Sequence, residues 1–240
     1  MRFPLPLLLT GLCLASAAFA REPAEAAAYY GRTLFTDNFS GTAFGERWGH
    51  YKSASIVKDG VLVGITPENS DHSAVDHIRI EPERDLEVSV KFRYLSDKAK
   101  SFNLWLDDKN YKGSHAGHIC SVTISPAGVT VADAKTGNFQ NDIYEKKKTP
   151  EGLSAEQKAF LETKTKRMPV TLSQQDWHTM LVRTWNDEVE VSLDGKAVGT
   201  FKSEGIGHDS KTLVSLTTNQ LDVQYDDFSV KAGGPAPAKP

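Results

Sequence analysis

Cysteine is almost missing from this chain, whose 240 residues contain two. Cys13 falls in an N-terminal apolar run, so only Cys120 remains beyond it and no internal disulfide can form. Burial alone must then hold the fold, which about 220 residues of ordinary hydrophobic content can do as one large domain. An excess of one charge is also missing. Lys and Arg number 28 against 31 Asp and Glu, a formal net charge of -3. Such a mild acidic balance excludes an electrostatic case for nucleic acid or an anionic membrane as partner. Beyond the N-terminus there is no long hydrophobic run, and no internal repeat is visible.

The one apolar run, Leu5 to Leu14, follows Arg2 and precedes Ala18-Phe19-Ala20, the small-x-small pattern that signal peptidase cuts after. Residues 1–20 are therefore expected to be a signal peptide, with a mature chain starting at Arg21 in the periplasm or outside the cell. At about ten residues the run is half of what a bilayer-spanning helix needs. A lipidated Cys13 is disfavoured because Leu12 precedes it, where a small residue is normal. Arg2 leaves with the leader, taking the net charge from -3 to -4.

Most of the remaining chain consists of short alternating or β-branched runs. They are Leu34 to Phe39, Ser55 to Val57, Val61 to Ile65, Leu86 to Tyr94, Phe102 to Asp107, His118 to Ile124 and Val129 to Ala132, and then Thr179 to Thr184, Val189 to Leu193, Val198 to Lys202, Leu213 to Thr217 and Val223 to Val230. Asp59-Gly60 and Asp194-Gly195 sit between such runs as tight hairpin turns. The pattern predicts an all-β sandwich of two antiparallel sheets over 33–231. Residues 21–32 and 232–240 are expected to be tails. One interruption stands out, a loop and helix insertion over 133–172, in which Ser154 can cap a short helix running to Lys166.

Ser101 to Ile124, SFNLWLDDKNYKGSHAGHICSVTI, gathers the residue types suited to a site. Strand alternation sends Phe102, Leu104 and Leu106 to one face and Asn103, Trp105 and Asp107 to the other. An aromatic ring between an amide and a carboxylate suits a sugar, whose apolar face stacks while its hydroxyls take directed hydrogen bonds. Trp105 can equally pack beneath the insertion. His115 and His118 lie three apart in a Gly-rich loop, which is not a strong metal signature. Either can serve as general base or acid with Asp107 orienting it, or be held by loop backbone. Cys120 reads as a buried thiol on the face of Val122 and Ile124, following His118. Asp108 belongs to a turn. Asp71-His72 and Asp76-His77 can approach from another rim, and Asn138, Gln140, Asn141 and Asp142 form a polar cluster, with Asn141 a further sugar contact. The polar face Glu87, Ser89, Lys91 and Arg93 is placed in the sheet that carries Asn103 and Trp105.

The run Ser55-Ile56-Val57-Lys58-Asp59-Gly60-Val61-Leu62-Val63-Gly64, the late Trp177-His178-Thr179 and the Leu193-Asp194-Gly195-Lys196 hairpin resemble the exported 3-keto-disaccharide hydrolase domains, also called DUF1080. That group belongs to the concanavalin A-like lectin/glucanase superfamily, and the likeness runs from Leu34 to Val230. The resemblance implies a jelly roll whose concave face binds glycans, with hydrolysis or elimination on oxidised sugars. Typical members carry Asn-Ser-Gly, then an Arg, then Gly-Tyr-Glu on the next strand. Here Phe102-Asn103-Leu104-Trp105 and Gly117-His118-Ile119 stand in those places, and Asn103 alone matches. The Glu-x-Asp-x-x-Glu motif of the related family 16 glucanases is also absent, against ordinary retaining hydrolysis by two close carboxylates.

Two functions follow as expectations. An enzyme would hold a glycan or small saccharide on Trp105, Asn103 and Asn141, with His118 or His115 as base or acid and Asp107 behind it. A lectin-like module would use the same face without turnover. A monomer with no transmembrane segment in its mature form is expected, and no cofactor follows from the residues.

Overall fold

The computed structural model describes residues 23–96, 99–219 and 223–234. The signal peptide expectation for 1–20 and residues 235–240 of the C-terminal tail lie outside them. Fifteen strands are formed: β1 Arg32–Asp37, β2 Trp48–Tyr51, β3 Ile56–Lys58, β4 Val61–Gly64, β5 Ala74–Glu83, β6 Leu86–Tyr94, β7 Ser101–Asp107, β8 His118–Ser125, β9 Gly128–Asp133, β10 Thr165–Pro169, β11 His178–Trp185, β12 Glu188–Leu193, β13 Lys196–Lys202, β14 Lys211–Asn219 and β15 Val223–Ala232. Three helices join them, α1 Pro23–Tyr29, α2 Asn141–Lys146 and α3 Ala155–Thr163. None of the described helices is long and apolar enough to cross a membrane.

Two antiparallel sheets face each other. One runs β10-β9-β8-β7-β14-β5-β2, the other β13-β12-β11-β6-β15-β4-β3 with β1 on β15. The order is a jelly roll, because most neighbours in a sheet are distant in sequence. Strand alternation supplies the core between them: Phe102, Leu104 and Leu106 of β7 join one buried cluster with residues of the facing sheet, where Phe102 lies 4.8 Å from Phe92 and 5.2 Å from Tyr225 between ring centres. The buried Tyr94 hydroxyl donates to Ile124 O at 2.9 Å, and the Tyr225 hydroxyl pairs with Thr218 Oγ1 at 2.9 Å, so neither phenol is orphaned. Cys120 is buried, and burial pushes its thiol pKa up to about 12.

The alternating runs all became strands, and both Asp-Gly pairs are left-handed hairpin turns, with φ 53 and 77 at Asp59 and Gly60 and φ 51 and 74 at Asp194 and Gly195. Ser154 caps α3 reciprocally with Gln157. Four expectations are corrected. Residues 21–32 are not simply a tail: α1 docks through buried Ala26 and Tyr30, whose hydroxyl donates to Thr184 O at 2.8 Å, and Arg32 opens β1. Ala232 closes β15, and Gly233 N–H donates to Asp85 O at 2.8 Å, so the C-terminal tail starts later than 232. The 133–172 stretch contains β10, paired along its length with β9, and thus extends a sheet rather than leaving it. Glu87, Ser89, Lys91 and Arg93 lie on β6, in the sheet opposite Asn103 and Trp105. Alternation fixes a strand's two faces but not the sheet it joins.

His178 and Asp194 pin the β12–β13 hairpin to β11. Asp194 accepts from Thr179 N–H at 2.8 Å and from His178 Nδ1–H at 2.7 Å. Burial opposes the charged imidazole, but the Asp194 hydrogen bond and the Ser173 carbonyl outweigh it and hold the His178 pKa above its ordinary 6.5. Burial likewise opposes the Asp194 carboxylate, and His178 with Thr179 N–H holds its pKa below 3.8. A raised histidine pKa gives stability that is complete below the unfolded pKa and is lost as pH rises through the folded one. A depressed carboxyl pKa gives stability above the unfolded pKa that is lost in acid. Asp194→Asn keeps a residue that tolerates the left-handed turn. It is expected to lower the thermal midpoint most between about pH 4 and 6.5 and progressively less above that range. Equal losses at about pH 5 and about pH 9 would contradict the pairing.

Candidate functional site

Strand register assembles the site on the outward face of the seven-stranded sheet. One row across the strands reads Tyr51, Val75, Thr217, Asn103, Thr123; the next reads Gly49, His77, Ser215, Trp105, Ser121; the third reads Arg79, Leu213, Asp107, His118. Neighbouring strands lie about 4.8 Å apart, so the third row spans about 14 Å from β5 to β8. Strict alternation would put His118 on the core side with Cys120 and Val122. A bulge prevents this: Leu106 faces Cys120, yet Asp107 faces His118, leaving Ile119 extra. The bulge is held by Ala134 and Lys135 N–H, which both donate to Ile119 O. His118 therefore turns outward beside Asp107.

The turn feeding this bulge, His115–Gly117, carries Ala116 at φ 55 and Gly117 at φ 74. A Cβ on Gly117 would stand 2.1 Å from Asp108 O, so glycine is required there. His118 Nδ1–H donates to Asp107 Oδ1 at 2.8 Å, and Lys109 Nζ stands 3.3 Å from Asp107 Oδ2. The carboxylate fixes the imidazole with its proton on Nδ1. Nε2 has no hydrogen-bond partner among the described residues and presents its lone pair. Asp108 makes the expected turn bond to Asn110 N–H, but its other oxygen holds His208 Nε2 at 2.9 Å, away from this face.

An aromatic wall closes one side. Trp105 packs tilted on His118 with ring centres 4.4 Å apart, and Phe139 meets both edge-on, 5.3 Å from Trp105 and 4.7 Å from His118. Trp105 lines the cleft and is also covered by Phe139 of the insertion. His115 stacks on Tyr144 at 3.8 Å, and no carboxylate among the described residues is hydrogen-bonded to it. Burial, then the neighbouring His118 and Lys148, holds its pKa below 6.5. Asn141 is not in the cleft: it begins α2, and its amide donates to Lys112 O at 2.7 Å. Helical winding turns Tyr144 of the same helix inward instead, and none of Asn138, Gln140 and Asp142 lines the cleft.

The cleft holds about 780 Å³, room for more than one sugar ring. On its floor the side chains of Asn103, Ser215, Thr217 and His77 have no protein hydrogen-bond partner among the described residues. Gly49 makes room for His77, because a Cβ there would meet the ring at 2.3 Å. Burial, and then the charges of Arg79 and Lys109, pushes the His77 pKa below 6.5. Asp71 and His72 line the far rim, while Asp76 faces inward and accepts from His50 and Ser53. Among the described residues no group of three His, Cys, Asp or Glu is placed to hold a metal ion.

His77 and Arg79 reach the site on β5, whose AVDHIRI run does alternate, with Asp76 in a core position obscuring it. Phe139 and Tyr144 carried no comparable signal, because their place depends on how the insertion folds back.

The chain matches no family model and no curated protein. Solved structures share its fold. A sialidase superposes with TM-score 0.59 at 11% identity over 83% of this chain, which spans only 18% of that protein. The laminarinase from Rhodothermus marinus gives 0.59 at 11% identity, covering 85% of this chain and 98% of its own. A protein of unknown function with a galectin-like fold from Bacillus subtilis gives 0.56 at 12%, covering 86% and 98%. The architecture is the concanavalin A-like jelly roll, and identities this low carry the fold alone.

Proposed function

We propose that this chain is an exported carbohydrate-active protein that binds a saccharide in the cleft between Asn103 and His118 and cleaves a glycosidic bond of an oxidised sugar, as the 3-keto-disaccharide hydrolases it resembles do. The observation carrying this reading is the Asp107-held His118 imidazole, whose free Nε2 faces a cleft floored by unpartnered hydroxyl and amide groups. Laminarinase and glucanase among the structures of like fold are consistent with a glycan ligand. Export rests on the leader ending at Ala20.

Two-carboxylate hydrolysis does not suit the cleft. Its acids are Asp107, held by His118 and Lys109, and Asp71, paired with Lys52 at 3.0 Å on the rim. A sugar oxidised at C3 needs only one base. The ketone acidifies the C2 hydrogen; His118 Nε2 takes that proton, and the C2 electron pair passes into the enolate. It then expels the C1 oxygen, which leaves with a proton returned from the imidazolium. Water adding to the resulting enone completes hydrolysis. Asn103 fixes a hydroxyl of the bound ring. The same engaged carboxylates favour, as second reading, a lectin-like module without turnover.

The test is a panel of neutral, acidic and 3-keto saccharides read both by thermal midpoint and by product release. A ligand at a hundred times its Kd stabilises by about 2.7 kcal/mol, a midpoint rise of roughly 5–10 °C for a chain this size. A rise with product release supports the enzyme, and a rise without it supports the lectin. No rise with any saccharide overturns both.

A further inference from the structure

We infer that the ligand of this cleft is an anionic saccharide, whose carboxylate or sulfate meets the Arg79 guanidinium at the opposite end of the row that carries His118. This rests on the saccharide reading of the same cleft and narrows its class.

Two acids, Asp71 and Asp107, and two bases, Arg79 and Lys109, line the cleft, but both acids are already engaged. Asp71 is engaged by Lys52 and Asp107 by His118 and Lys109, whereas Arg79 has no acidic partner among the described residues. Arginine also presents a planar pair of donors that matches a carboxylate or sulfate edge, and neutral hydroxyls would leave that fork unused. Its position fits a sugar bridging to the base. Arg79, Leu213, Asp107 and His118 are register partners, with about 14 Å between the outer Cα atoms.

The walls add to the same field. Lys109 is paired with Asp107 and Lys148 with Glu145 at 2.7 Å, whereas Lys147 sits over the Phe139 and Tyr144 rings at 5.5 and 5.6 Å with no acidic partner among the described residues. His77 registers the field: after burial, Arg79 and Lys109 are the next causes that disfavour its charged form. An anion bound between these groups relieves that repulsion, which a neutral sugar cannot do.

The experiment titrates the purified full chain calorimetrically with three oligosaccharide probes of equal length: an oligogalacturonate, its carboxyl-reduced neutral counterpart and a sulfated oligogalactan. The wild type is expected to bind at least one anionic probe about tenfold tighter than the neutral one, with the preference shrinking at high salt. Whichever anionic probe wins identifies carboxylate or sulfate. Arg79→Gln is expected to erase the preference by weakening the anionic probes at least about tenfold more than the neutral one, and Arg79→Lys to restore part of it. Arg79 is exposed, so both variants fold, and their thermal midpoints verify this. Equal affinity for neutral and anionic probes, or a preference that survives Arg79→Gln, overturns the inference and leaves the saccharide reading standing. Binding of no probe, neutral or anionic, overturns the inference, and the broader saccharide panel then decides the reading beneath it.

Discussion

His118→Ala is expected to lower kcat on a cleaved saccharide by about 10²- to 10⁴-fold, the usual contribution of a positioned general base, while saccharide affinity changes only a few-fold. The split follows from geometry. Nε2 is the imidazole nitrogen left without a hydrogen-bond partner among the described residues, and in the proposed function the ring hydroxyls are held by Asn103, Ser215 and Thr217 on neighbouring strands. Asp107→Asn should fall in the same direction, because an amide facing Nδ1 can donate rather than accept and moves the ring proton to Nε2. The variant also strands Lys109, whose Nζ stands 3.3 Å from the Asp107 carboxylate. His115→Ala is the contrast: His115 stacks on Tyr144 without an orienting acid, and its loss should affect affinity more than kcat. Steady-state kinetics with kcat and KM separated decide this. Full turnover by His118→Ala would remove the base assignment.

Asp133→Ala should cost about 3 kcal/mol of folding stability, lowering the thermal midpoint by roughly 6–12 °C. Asp133 is buried and accepts four hydrogen bonds, from Thr136 N–H at 3.0 Å, Thr136 Oγ1 at 2.6 Å, Ser203 Oγ at 2.6 Å and Gly205 N–H at 3.0 Å. Removing the acceptor leaves those donors without partners, each buried one costing about 1–3 kcal/mol before relaxation. The packing is tight: a Cβ on Gly205 would stand 2.0 Å from Asp133 Oδ1. The loss also reaches function. Asp133 anchors the start of the segment that carries Phe139 and Tyr144 to the cleft wall, so saccharide affinity should fall with stability. A midpoint within about 2 °C of wild type would show that the cluster is not structural.

Much of the scaffold was legible because its determinants are local. Two-residue alternation along Phe102 to Asp107 named both faces of β7, and the two Asp-Gly pairs named their hairpins through positive φ. Ser154 announced the start of α3 through a bond to Gln157 only three residues away. The site was legible only in its β7 half. Alternation put Asn103, Trp105 and Asp107 on one face of β7, the face that lines the cleft, whereas the bulge that turns His118 to the same side has no mark in the run His118 to Ile124. β2 and β10 were not anticipated, and β5, which brings His77 and Arg79, was foreseen only as a rim approaching through Asp71-His72 and Asp76-His77. Asn141 was placed in the site from its residue type, but its helix gives the cleft Tyr144 instead.

The sequence by itself determined an all-β pattern and one strand whose outward face carries an amide, an indole and a carboxylate. Those properties are set within a few residues, by side-chain period and turn conformation. Tertiary structure decided which strands stand beside that one, that His118 faces out and Cys120 in, and that Arg79 ends the same row with no acidic partner among the described residues. Register between strands over a hundred residues apart comes from burying two sheet faces against each other at once, a collective balance that no single segment encodes.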